Sequence, residues 1–144
     1  MPAQEVVRAW KAPSPIRASV YAALAAVAVG ALLPPYFEFG LLSGVLRILV
    51  LPFLGGWFLY RSARGLSSLL VLLPAAVVIV GLHVYVEGST YALLTYGEWG
   101  LSALDPGSRA ITSLIAVAEL VVIFCALLGG YIVEWGQRRS QARS

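Results

Sequence analysis

Glu119 stands inside an apolar stretch, residues 110–133, that holds no other charged side chain. At about 1.5 Å of rise per helical residue this stretch crosses the ~30 Å hydrocarbon layer of a bilayer, which puts the carboxylate near its middle. An ionised side chain at that depth costs at least ~2.5 kcal/mol on insertion scales, so it faces a partner, a cavity or a pathway. Three other groups are candidates to meet it: Arg47 in the apolar stretch 41–60, His83 near the end of 66–86, and Glu87, one helical turn beyond His83 on the same face. Counted from one face of the membrane, Arg47, Glu119 and His83 fall roughly 9, 14 and 5 Å deep.

This constellation supports two kinds of chemistry. In the first, Arg47 and Glu119 form a buried ion pair that fixes helix register, with His83 hydrogen-bonded near the interface and its charge set by Glu87. In the second, Glu119 is a proton or cation site gated by Arg47, and His83 relays protons. An arginine beside Glu119 keeps it ionised and a poor proton carrier, so the ion pair is the leading expectation.

Other chemistries lack their residues. Cys125 is the sole cysteine, which excludes an intrachain disulfide or a cysteine metal cluster. Glu38, His83 and Glu87 do not have the spacing of a metal site, and no metal or cofactor is expected. No nucleophile elbow, phosphate-binding loop or nucleic-acid module is present, so an enzyme is the less expected reading and no nucleic-acid partner is expected.

The elements that must position these groups follow from hydropathy. Four spans are expected at about 18–33, 41–60, 66–86 and 110–133, joined into an all-α, four-helix membrane bundle forming one domain over 1–144. Residues 18–33 are short for a span and resemble the apolar core of a signal peptide. Their small-residue stripe, Ser19, Ala23, Ala26 and Gly30, favours a retained packing helix. Gly44 near Arg47, and Ala116 and Gly130 flanking Glu119, extend the same helix-packing signal. Pro52 removes an amide donor and leaves the Ile48 carbonyl unsatisfied, which predicts a kink one residue from Arg47.

Residues 87–109 read as an outer loop containing an interfacial helix from Thr90 to Leu104, anchored by Tyr91, Tyr96 and Trp99. Asp105 followed by Pro106 is a start signal for the fourth span. Short tails, 1–17 and 134–144, close the chain, and Val6, Val7 and Trp10 form a small apolar face in the first of them.

Composition agrees with this architecture. The chain has 144 residues, 60% hydrophobic and 12% charged, against about a quarter charged in soluble domains. The net charge of +3 sits in flanks and loops rather than on one helix face. Arg8, Lys11, Arg17, Arg61, Arg64, Arg138, Arg139 and Arg143 fall on one side of the membrane and Arg109 on the other, which places both termini in the cytoplasm. Arginine over lysine, abundant Ala and Gly, and no asparagine suit a prokaryotic cell membrane. The resulting expectation is a non-catalytic accessory or structural subunit of a larger membrane complex, surrounded by lipid and by other subunits or copies of itself. The alternative is a small homo-oligomeric transporter or channel with a buried Glu/Arg/His pathway.

Overall fold

The computed structural model describes residues 14–32, 40–62 and 66–142, and every regular element among them is helical. Four helices are long and apolar enough to cross a membrane: α1 (Pro15–Leu32), α2 (Gly40–Ser62), α3 (Leu66–Tyr96) and α4 (Pro106–Gln141). The chain thus has the form of a multi-pass membrane protein. The expectations for Val6, Val7, Trp10, Glu38 and Arg64 lie outside the described residues.

The starts of α1 and α4 are set by local chemistry. Ser14 accepts the Arg17 amide on its hydroxyl at 3.3 Å, and Pro15 occupies the first helical position, so α1 begins three residues before the expected span. Asp105 caps α4 by accepting the Ser108 amide at 3.0 Å, with Pro106 just inside. At 36 residues α4 is roughly 54 Å long and outruns the hydrocarbon layer. Its extension past residue 133 is held by the Arg138–Glu134 pair and by the Arg139 guanidinium over the Trp135 ring, 3.7 Å from its centroid.

The third helix departs from expectation. It does not end at residue 86 but runs unbroken to Tyr96, a length of 31 residues. Thr90 bonds its hydroxyl back to the Val86 carbonyl at 2.7 Å, so residues 90–96 continue α3 instead of starting a surface helix. Gly88 stays in the helix because the chain returns over it: a Cβ there would meet Leu101 Cδ2 at 2.5 Å. The helix stops at Gly97, whose φ of +75° is the left-handed conformation of a C-terminal cap and whose amide bonds Leu93 at 3.0 Å. One 3₁₀ turn, Leu101–Ala103, is the only regular element between α3 and α4. The Tyr96 hydroxyl donates to Asp105 at 3.0 Å and ties the two helix ends together.

Packing pairs α1 chiefly with α3, and α2 chiefly with α4, while α3 and α4 meet along the centre. Ala18, Leu59, Leu72, Ala76, Val80, Ile123 and Leu127 are buried where all four helices converge. Glycines allow the close approaches. A Cβ on Gly56 would meet Ala126 Cβ at 2.8 Å and the Ile123 carbonyl at 3.0 Å, which seats α2 on α4.

Candidate functional site

Arg47 is carried on a widened turn. Residues Leu46–Val50 form a π-helical segment in which the Leu51 amide bonds the Leu46 carbonyl, between α-helical Gly40–Val45 and Leu51–Ser62. Pro52 accounts for it: proline supplies no amide to Ile48, and its ring crowds that carbonyl, so the helix opens by one residue just upstream. The expected kink therefore takes the form of a π bulge, and Arg47 lies within it, buried at 3% exposure.

The length of α3 decides what Arg47 meets. His83 stands as far from the end of α3 at Tyr96 as Glu119 does from the start of α4 at Pro106, roughly 20 Å in each case. The histidine is thus level with Glu119 rather than near the surface. Arg47 Nη1 pairs with Glu87 Oε1, an acid expected as the partner of His83 alone. His83 Nε2 lies 3.3 Å from Glu87 Oε2 and 3.5 Å from Glu119 Oε1, and so brings Glu119 into the cluster. His83 Nδ1 is 2.9 Å from the Ala26 carbonyl of α1. One polar cluster therefore joins all four helices.

The geometry fixes part of the proton placement. A carbonyl oxygen only accepts, so the Nδ1–H donates to Ala26. Nε2 then faces two carboxylates, and that arrangement is attractive only when a proton lies between the nitrogen and an acid. With that proton present, its charge and that of Arg47 balance the Glu87 and Glu119 carboxylates and the cluster is neutral. Without it the cluster carries a net −1 in a buried site. Glu87 Oε2 accepts no hydrogen bond despite its 3.3 Å approach to Nε2, and the Ser89 hydroxyl is also buried without one.

Other residues singled out from sequence are placed as follows. Gly30 lies directly on the cluster: a Cβ would meet the His83 carbonyl at 3.0 Å and the Glu87 amide at 3.2 Å, so only a residue without a side chain lets α1 approach there. Ala23, Ala26 and Ala116 pack on the core, and Gly130 faces the Tyr60 ring, which a Cβ there would meet at 3.0 Å. Ser19 bonds back to the Pro15 carbonyl at 2.7 Å. A Cβ on Gly44 would meet nothing within 4 Å in this chain, whereas Gly56 makes a close approach of α2 to α4. Among the described residues no group of His, Cys, Asp or Glu has the arrangement of a metal site.

A cleft of about 420 Å³ adjoins the cluster. It lies between α1 and α2, with α3 and α4 as its floor, and opens laterally at the half-exposed rings of Tyr21 and Phe58. Its walls are almost wholly aliphatic and aromatic, and Arg47, His83 and Glu119 border them. Volume and lining fall in the range of small-molecule sites between helices. The cleft was not legible in the sequence. No protein-family model, curated protein or solved structure matches the chain, so the reading rests on this geometry.

Proposed function

We propose that the chain is a non-catalytic accessory subunit of a larger membrane complex, resident in the cytoplasmic membrane of a prokaryote with both termini in the cytoplasm. In this orientation Tyr91, Tyr96 and Trp99 mark the outer boundary, and the connection of residues 97–105 is an interfacial segment. Arg61 and Arg138 to Arg139 then lie at the cytoplasmic face. The observation that carries the subunit reading is the distribution of glycine. Gly30, Gly56, Gly88 and Gly130 are used in internal close approaches, whereas Gly81 and Gly129 lie on exposed helix faces where a Cβ would meet nothing within 4 Å. Glycine on a lipid-facing helix weakens it by about 1 kcal/mol against alanine, a cost that a close-packed neighbouring helix offsets. Gentle extraction followed by native mass measurement tests this. A different protein bound in fixed ratio, displaced by Gly129→Leu, is the expected result; a pure monomer or homodimer refutes it.

The cleft favours a second reading, a small homo-oligomeric transporter whose pathway uses Arg47, His83 and Glu119. On this reading Glu119→Gln abolishes pH-dependent flux in liposomes, and unchanged flux rejects it.

A further inference from the structure

The cluster is neutral with one proton held between His83 and Glu119, and both residues border a cleft that opens to the side. The charge that would exclude a cation, Arg47, is already balanced by Glu87 in a pair whose side chains are each 4% exposed. Around the proton, α1 offers the Ala26 carbonyl and the Tyr21 ring, α2 offers Arg47, α3 offers His83 and Glu87, and α4 offers Glu119. Loss of the proton leaves a net −1 that bulk water solvates poorly, since Glu119 is 1% and His83 8% exposed, although both border the cleft. Any monovalent cation restores neutrality, but only one with an apolar body also fills the aliphatic and aromatic cleft. A neutral amphiphile leaves the proton where it is, and an anion adds to the unbalanced charge.

We propose that the cleft between α1 and α2 binds a lipophilic organic cation in exchange for the proton shared by His83 and Glu119. The aliphatic walls accept the body of the ligand, and the rings of Tyr21 and Phe58 face a delocalised cation favourably. The cation lies in the cleft and compensates the Glu119 charge from there, Nε2 of His83 becomes neutral, Nδ1 keeps its bond to Ala26, and the proton leaves through the cleft to water. Binding of this kind requires no second protein, so it stands whether or not the chain is a subunit.

The test uses the full chain in lipid nanodiscs with tetraphenylphosphonium as the probe and tetraphenylmethane as its neutral counterpart. Calorimetry in buffers of different ionisation enthalpy counts protons. The expected result is saturable phosphonium binding with about one proton released per cation and an affinity that rises towards tenfold per pH unit. Ala25→Trp, which fills the exposed mouth of the cleft without touching a charge, should remove the binding, and Glu119→Gln should remove both binding and proton release. The Ala25 variant keeps the test decisive if Glu119→Gln fails to fold. Binding without proton release, equal binding of tetraphenylmethane, binding that survives Ala25→Trp, or no binding by the native chain would each overturn the proposal.

Discussion

Removing Arg47 alone should be far more damaging than removing it together with Glu87. Glu87 is 3% exposed and Arg47 is paired with it, so Arg47→Met leaves a buried carboxylate without its counter-charge. Breaking a buried pair from one side costs about 3–5 kcal/mol, or roughly two to nearly four powers of ten in the folded-to-unfolded ratio. Glu87→Gln should cost a similar amount by leaving the guanidinium facing a neutral amide. In the double variant both charges are gone, His83 and Glu119 still share their proton, and stability should return to within about 1 kcal/mol of the native chain. Charge balance adds a second readout. Arg47→Met reaches neutrality only by taking up another proton on folding, so its stability should fall as pH rises, by up to about 1.4 kcal/mol per unit. The assay is a double-mutant cycle from equilibrium unfolding in mixed micelles, repeated across pH. Additive single effects, with a coupling below about 0.5 kcal/mol, would refute the pairing.

Three further outcomes follow from named contacts. Gly56→Leu should destabilise the fold by about 1–3 kcal/mol because its side chain must displace the α4 backbone, measured by the same unfolding titration; Gly129→Ala, in open space, should instead stabilise the isolated chain by up to about 1 kcal/mol. Hydrogen bonds from the Ser108 hydroxyl and amide and from Tyr96 lower the Asp105 pKa from 3.8 to about 2. A depressed carboxylate stabilises the fold above its unfolded pKa and loses that contribution as pH falls, so acid loosening of the α3–α4 connection should develop between about pH 4 and pH 2 and be absent in Asp105→Ala, as read by hydrogen exchange at Ser108. Cys125 is exposed on α4 within the apolar stretch, so a lipid-soluble maleimide should label it and a charged, membrane-impermeant one should not; equal labelling would remove that face from the lipid.

The number of helices, their apolar character and the capped start of α4 were legible because they depend on neighbouring residues: hydropathy over a window, an aspartate at the cap, a proline at the first position. The disturbance of α2 was legible for the same reason, since Pro52 acts on a carbonyl four residues away. Glu119, Arg47, His83 and Glu87 were also recognisable, because a charge in an apolar stretch requires an answer wherever it folds. Which charges meet was not. That depended on α3 running to Tyr96, which the polar residues of 87–96 hide and which the return of Leu101 and Leu104 over Gly88 makes favourable. It depended too on the rotation of four helices about one another, which brought Glu87 to Arg47, His83 to Glu119 and the Ala26 carbonyl to His83. Residue types and hydropathy were enough to require buried charges among apolar helices; that those charges join in one cluster beside an open cleft came from packing, because depth and facing are properties of packed helices and not of any one of them.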